Sequence, residues 1–79
     1  MLTSQTFGTA IRAARKLQGL RQDQLAGATG VGTRFIIDLE AGKPTAQLGK
    51  ALAVASALGL RLTLVDPVGH VATISKVSP

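Results

Sequence analysis

The fold of this chain is decided by residues 20–43, LRQDQLAGATGVGTRFIIDLEAGK. Apolar residues recur in this stretch at helical spacing and form two short stripes, Leu25-Ala26 and then Phe35, Ile36 and Leu39. Gly30 lies between the stripes and predicts a break between two short helices. Two short helices that meet at a glycine-containing turn form a helix-turn-helix, whose second helix enters the DNA major groove. The stretch therefore predicts a DNA-binding protein.

Residues that begin and end helices agree with this division. Leu20 and Leu25 have the spacing of a hydrophobic staple around the start of the first helix. Gly32 falls at the N-cap of the second helix, and Gly42 falls where that helix ends. Arg21 precedes the first helix and is a poor N-cap, so we expect the first helix to be less well capped than its pattern suggests.

Composition limits the kind of protein and its partners. The chain has 79 residues and no cysteine, so it predicts one small domain that gains no stability from disulfides. Oligomerisation is the usual remaining means of stabilising such a domain. Nine Lys and Arg against four Asp and Glu give a net charge of +5, which favours an anionic partner such as nucleic acid. No signal-peptide pattern and no apolar run near the roughly 20 residues of a membrane span are present, so we expect no membrane partner.

Two further helices are expected around the motif. Residues 4–18 predict a helix that Thr3 or Ser4 caps, with an inward stripe of Phe7, Ala10, Ile11, Ala14 and Leu17. Residues 45–58 predict another, with Thr45 as N-cap and an inward stripe of Leu48, Ala51, Leu52, Ala55 and Leu58. The expected fold is therefore mainly α, a four-helix DNA-binding domain over residues 1–59.

The hydrophobic period changes from helical to alternating at residues 60–65, LRLTLV, which predicts a β-strand. A solitary strand leaves its backbone donors and acceptors unpaired. Either it folds back on residues 70–74, or it pairs with another chain across a two-fold axis, and both pairings are compatible. We favour the second chain, with residues 60–66 as a dimerising strand and 67–79 as a C-terminal tail. In the pair, Leu60, Leu62 and Leu64 would lie over the helices, and Arg61, Thr63 and Val65 on the opposite face.

The order of these motifs resembles the lambda-repressor-like, XRE-type helix-turn-helix family. The matching residues are Leu20, Gln22, Leu25-Ala26, Gly30-Val31, Phe35-Ile36, Leu39-Glu40 and Gly42-Lys43. Most of that family continues with a fifth helix, whereas the strand predicted here resembles the HipB-type antitoxins, in which the C-terminal strands of two chains pair. The resemblance implies a homodimeric repressor of its own operon that binds operator DNA and a HipA-like serine/threonine kinase toxin. It also implies a cytoplasmic, nucleoid-associated location in bacteria.

The resemblance also implies roles for individual residues. Base contacts are expected from the outer face of the second motif helix: Thr33, Arg34, Ile37 and Asp38. Phosphate contacts are expected from Gln22 and Lys43. A phosphate contact is also expected from Arg21, although this residue departs from the family pattern, which commonly has Thr or Ser there. Arg15 and Glu40 match a structural ion pair between the first and third helices.

Three of the base-contacting positions have alternative interpretations. Arg34 would bond to guanine through two hydrogen bonds, or it contacts a phosphate or forms an i,i+4 pair with Asp38. Asp38 would accept a hydrogen bond from a cytosine amino group, or it only orients Arg34. Ile37 would meet a thymine methyl group, or it is an ordinary exposed apolar residue.

Other site classes find little support in the sequence. His70 is the only histidine and has no neighbours at metal-ligand spacing, and residues 27–32, GATGVG, lack the preceding strand of a phosphate-binding loop. No Ser/His/Asp set or carboxylate pair suggests catalysis, so we expect neither an enzyme nor a cofactor. Two alternatives to the antitoxin remain: a stand-alone repressor, and a protein-interaction module that binds DNA weakly.

Overall fold

The structure, a computed structural model, describes residues 2–44 and 46–74. Within these ranges the elements are α1 (Ser4–Leu17), α2 (Gln22–Thr29), α3 (Thr33–Glu40), α4 (Leu48–Ala57), β1 (Leu62–Val65) and β2 (Val71–Ile74). The expectation of a mainly helical fold with four helices and a C-terminal strand is confirmed. None of these helices, in the part of the chain described, has the length and apolar character needed to cross a membrane.

Helix α1 begins at a capping box that Thr3 forms with Thr6. The Thr6 amide donates to Thr3 Oγ1 at 3.0 Å, and the Thr3 amide donates to Thr6 Oγ1 at 2.7 Å. These two bonds satisfy backbone donors that the first turn of a helix cannot pair internally. Thr3 is therefore the N-cap, and of the two residues expected for this role, Thr3 and Ser4, it is the first.

The core joins all four helices. Helix α3 packs against α1 and α2, and α2 packs against α4. The buried apolar side chains are Ile11, Leu25, Ala26, Ile36, Leu39, Ala51, Val54, Ala55 and Leu58. The helix-turn-helix is thus held between the helix that precedes it and the helix that follows it, because each of these contributes to one apolar cluster.

The buried face of α1 differs from the expected stripe. Leu17 is 89% exposed and Ala10 is also exposed, whereas Gly8 and Arg15 are buried. At Gly8, an added Cβ would overlap the carbonyl oxygen of Leu39 and lie 2.9 Å from that of Glu40. Because Gly8 has no side chain, the end of α3 can approach α1 closely at this point. The buried face of α1 therefore includes Gly8 and Arg15 and excludes Ala10 and Leu17.

Helix α4 begins later than predicted. Its first residue is Leu48 and its N-cap is Gln47, so the expected start and the expected cap Thr45 are wrong; residue 45 itself lies outside the described residues. Leu48 is 70% exposed because it stands at the first turn, away from the core. The stripe that packs inward instead contains Val54, which is completely buried and was not expected there.

The strand β1 is two residues shorter than predicted. The Leu60 amide donates to Ala55 O at 2.9 Å, and the Gly59 amide donates to Ser56 O at 3.0 Å. These bonds satisfy carbonyls at the end of α4. Leu60 therefore belongs to the helix termination and packs against the core, and the strand begins at Leu62.

The strand folds back within the chain, which was the alternative that we did not favour. β1 pairs with β2 in an antiparallel register that places Leu62 opposite Ile74 and Val65 opposite Val71. The turn between them is held by Asp66, whose Oδ1 accepts from the amides of Val68 at 3.0 Å and His70 at 2.8 Å. The segment expected to be a tail thus contains a strand.

Among the described residues, β1 pairs with β2 alone, and the backbone groups on its outer edge have no partner strand. The Asp66 amide donates to His70 O at 3.0 Å, and hydrogen-bonded pairs alternate along an antiparallel ladder. The bonded pairs are therefore the ones at Leu64 and Leu62, and the backbone groups of Thr63 and Val65 face away from β2. The hairpin also exposes much of four apolar side chains: Leu64 (54%), Val65 (63%), Val68 (77%) and Val71 (63%).

Candidate nucleic-acid interface

The turn between α2 and α3 is built by a left-handed glycine and a half-buried valine. Gly30 ends α2 with φ of 73°, a conformation that residues with a Cβ rarely adopt. The Val31 amide then donates back to Ala26 O at 3.1 Å, and Val31 packs against the core. This turn fixes α3 across α2, so that one face of α3 is buried and the other is presented to solvent.

Helix α2 is better capped than the sequence suggests. Arg21 offers no side-chain oxygen, but the Gln24 side chain reaches back and its Oε1 accepts from the Arg21 amide at 2.8 Å. This is one half of a capping box. The Arg21 guanidinium forms an exposed ion pair with Asp23 at 3.1 Å, and the hydrogen bond from Arg21 lowers the pKa of Asp23.

Helix α3 has one apolar and one polar side, as expected. Ile36 and Leu39 are buried and Phe35 is half-buried against them. The outer side consists of residues expected at the bases: Thr33, Arg34 and Ile37 are exposed, and Asp38 is half-buried. The structure therefore brings these four residues together on one solvent-facing surface.

Asp38 is the centre of a charged cluster on this surface. Its Oδ1 lies 3.3 Å from Arg34 Nε and 3.6 Å from Lys43 Nζ. The Arg34 side chain is 76% exposed and the Asp38 side chain 26%. In the free chain Arg34 thus forms an i,i+4 ion pair with Asp38, which was one of the alternatives to a base contact. An exposed ion pair of this kind contributes little to stability.

Arg15 and Glu40 form a buried ion pair under the interface. Arg15 Nε donates to Glu40 Oε2 at 2.6 Å and Nη2 donates to Oε1 at 2.9 Å, while Nη1 donates to Leu20 O at 2.7 Å. The two side chains are 9% and 4% exposed. The pair therefore ties α1 to the end of α3, and Arg15 also holds Leu20, two residues before α2 begins.

Gln22, the expected phosphate ligand, is part of the same network. Its Nε2 donates to Glu40 Oε1 at 3.2 Å. Burial raises the pKa of Glu40, but hydrogen bonds from Arg15 and Gln22 and the positive charges of Arg15 and Arg12 outweigh burial and hold the pKa below its ordinary value. Glu40 is therefore ionised, and it orients the amide group of Gln22 through an accepting oxygen. The 18 residues between Gln22 and Glu40 explain why no local pattern indicated this contact.

Lys50 also lies at this surface, although the sequence did not indicate a role for it there. Its ammonium group lies 5.9 Å from the centre of the Phe35 ring, within the range of a cation–π contact. Asp38, Lys43 and Gln47 line a cavity of about 260 Å³ together with these two residues. The contact depends on how α4 packs beside α3, so no spacing along the chain could have revealed it.

Known proteins resemble this chain in sequence and in fold. The helix-turn-helix family model matches residues 11–65. An uncharacterized HTH-type transcriptional regulator, y4mF of Sinorhizobium fredii (strain NBRC 101917 / NGR234), is 55% identical over 65 residues, covering 82% of this chain and 86% of that protein.

Solved structures with the same fold include a HipA–HipB–O2–O3 complex and a HipB–O4 20-mer complex. A chain of the first has a TM-score of 0.76 and 22% identity, covering 85% of this chain and 94% of that one. A chain of the second has a TM-score of 0.75 with the same identity and coverage. At this identity the likeness concerns the fold. The family match over most of the chain, together with the outward face of α3, leads to one conclusion: the protein belongs to the XRE-like helix-turn-helix family of DNA-binding transcriptional regulators.

Proposed function

We propose that this protein is a sequence-specific repressor that places α3 in the major groove of its operator. The observation that carries the proposal is the outward face of α3, where Arg34 is available to bases beside Asp38 and an exposed Ile37. Arg34 bonds to a guanine edge, and Thr33 and Ile37 contact neighbouring base edges or a thymine methyl group. Asp38 orients Arg34, or accepts from a cytosine amino group once Arg34 has turned to the DNA.

Phosphate contacts flank this helix in the proposed complex. Gln22 begins α2, the helix that crosses the DNA backbone in helix-turn-helix proteins. Lys43 follows α3, and its side chain is 54% exposed, with the ammonium group beside Asp38. Arg21 is 71% exposed and held only by a surface ion pair, so its guanidinium can reach a phosphate as well. Such contacts fix the register of the protein on DNA without selecting sequence.

The repressor acts as a homodimer in this proposal. The hydrogen-bonding alternation leaves the outer edge of β1 open at Thr63 and Val65, and Leu64 beside that edge is 54% exposed. Pairing of β1 with β1 of a second copy would complete the ladder and extend the hairpin to a four-stranded sheet. An isolated two-stranded hairpin is only marginally stable, whereas a sheet of three or more strands can be stable. Such pairing would also supply two recognition helices for half-sites about 34 Å apart.

We further propose that the protein is the antitoxin of a HipA-like serine/threonine kinase and represses the operon that encodes both. Support comes from the fold, which resembles that of a chain in a HipA–HipB–O2–O3 complex over 85% of its length. In this scheme the chain works by binding alone, in the bacterial cytoplasm and at the nucleoid, and the kinase carries out the chemistry.

Two experiments test these proposals separately. Binding to the promoter upstream of its own gene is measured by fluorescence anisotropy against a scrambled duplex of equal length, and equal affinities would contradict the repressor. The neighbouring genes are then expressed singly with and without this protein. Growth arrest by a kinase that this protein relieves, with co-purification of the two, supports the antitoxin. Promoter binding without a neutralised partner would identify a stand-alone repressor.

A further inference from the structure

A polar cavity lies beside the outward face of α3, between α1, α2 and α3. It has a volume of about 320 Å³ and is lined by Arg12, Arg15, Gln22, Ile37, Glu40 and Ala41. We call it the three-helix notch. Because Ile37 belongs to the exposed face of α3, the notch opens next to the surface that faces DNA in the proposed complex.

The notch keeps hydrogen-bond donors that its internal contacts do not use. Glu40 accepts from two Arg15 nitrogens and from Gln22, and each of the three Arg15 nitrogens already donates one bond, two to Glu40 and one to a backbone carbonyl. Because a carboxylate only accepts, Gln22 must present its NH₂ group there, and that group keeps a second N–H. Among the described residues, Arg12 is exposed and takes part in none of the ion pairs.

The charge of the notch favours an anion. Arg12 and Arg15 contribute two positive charges and Glu40 one negative charge, which leaves a net charge of +1 at the lining. The Glu40 charge is neutralised at close range by the bidentate Arg15, whereas Arg12 acts on Glu40 only through its charge and forms no ion pair with any of the described residues. A group with several acceptor oxygens and a negative charge matches Arg12 and the second N–H of Gln22.

We propose that the three-helix notch binds one phosphate of the DNA backbone, with Arg12 as its principal ligand and Gln22 as the second donor. The inference rests on the DNA binding of the proposed function and adds a contact from α1, outside the helix-turn-helix. The phosphodiester is the ligand because the notch borders α3 and the start of α2, and the backbone at the edge of the major groove passes there.

The first test compares Arg12→Gln with Lys16→Gln, which removes the same charge one turn further along α1, from a residue that does not line the notch. Affinity for the operator and for a random duplex is measured between 50 and 200 mM salt. Losing one phosphate contact per protomer removes the release of about 0.9 ion, which weakens binding by about 15-fold at 50 mM and about fourfold at 200 mM for each protomer bound. For a dimer on either duplex, Arg12→Gln should therefore bind about 200-fold more weakly at 50 mM and about 18-fold more weakly at 200 mM. Lys16→Gln should lack this salt-dependent deficit. Equal behaviour of the two variants would overturn the proposal.

The second test locates the phosphate with duplexes that carry one neutral methylphosphonate at successive positions. At one position in each half-site the modification should weaken binding of the wild type but not of Arg12→Gln, and Gln22→Met should identify the same position. Different positions for the two variants would refute a shared site. Thermal unfolding in inorganic phosphate, against chloride at equal ionic strength, covers the other source of the anion. Stabilisation by phosphate that needs Arg12, without any effect of Arg12→Gln on DNA binding, would refute the backbone site.

The experiments distinguish failure of the repressor proposal from failure of the proposed phosphate site in the notch. A phosphate contact carries no sequence information, so the difference between the two variants is measured on random duplex as well. If the wild type shows no preference for the operator but Arg12→Gln still loses one phosphate contact, the repressor proposal fails and the notch stands.

Discussion

The Arg15–Glu40 pair should be coupled strongly in folding, and a double-mutant cycle measures this directly. The variants are Arg15→Met, Glu40→Met and the double substitution, which replaces both partners by an apolar side chain of similar length. Each single variant leaves the other charge without its partner in a site where the side chains are only 9% and 4% exposed. Breaking a buried pair from one side costs roughly 3–5 kcal/mol.

The expected loss is at the lower end of that range, about 3 kcal/mol for each single variant, because both residues keep another hydrogen bond. Arg15 retains Leu20 O, and Glu40 retains the amide of Gln22. A chain of 79 residues has a free energy of unfolding of roughly 4–12 kcal/mol. A loss of about 3 kcal/mol should therefore lower Tm by about 12–24 °C.

The double variant should lose much less than the sum of the two single losses, since it leaves no unpaired charge. We expect an interaction energy of about 2–3 kcal/mol from urea denaturation. The exposed pair of Arg21 and Asp23 is the matched control, and its cycle should give no measurable coupling. An interaction energy of zero for Arg15 and Glu40 would refute the structural role of the pair.

The pH dependence of stability provides an independent check with a definite sign. The pKa of Glu40 is lower in the folded chain than its ordinary value of 4.5. The stabilisation is therefore complete above about pH 4.5 and is lost as the pH falls through the lower, folded-state pKa. Between pH 6 and about pH 3, wild-type stability should decline more steeply than that of Glu40→Met. Parallel stability curves for the wild type and Glu40→Met would show that ionisation of Glu40 does not contribute to the pH dependence of stability.

Three other predictions concern recognition, assembly and packing. Arg34→Ala should reduce operator affinity far more than affinity for a random duplex, whereas Lys43→Ala should reduce both alike and lower the salt slope by about one for each protomer bound; equal losses for Arg34→Ala would exclude a base contact. Thr63→Pro should remove a donor from the outer edge of β1 and give monomers in sedimentation, with Thr63→Ala as the dimeric control; a dimeric proline variant would place the interface elsewhere. Gly8→Ala should cost about 2 kcal/mol or more because its Cβ meets backbone oxygens, whereas Gly27→Ala, in open space on α2, should stabilise by about 0.5–1 kcal/mol; similar effects in thermal unfolding would contradict the close helix crossing.

The sequence by itself determined the helix-turn-helix and the outward face of its second helix. These depend on short-range signals: the apolar stripe of Ile36 and Leu39 and the left-handed glycine that ends α2. Each of these acts within one or two turns of chain, so its effect is visible in the order of residues. The position of Arg34 and Asp38 on one surface follows from the same periodicity.

Only the tertiary structure decided which faces of the outer helices are buried and what the interface residues contact. Leu17 is exposed and Gly8 buried because α1 meets the end of α3 at a point that only packing defines. The link from Gln22 to Glu40 and the Lys50 contact on Phe35 likewise join residues that are distant in the chain. An alternating sequence predicts a strand but not its partner, because backbone groups that pair are the same in every residue. Hydrophobic periodicity indicates that a side chain prefers burial, whereas its actual partner depends on where other elements come to lie.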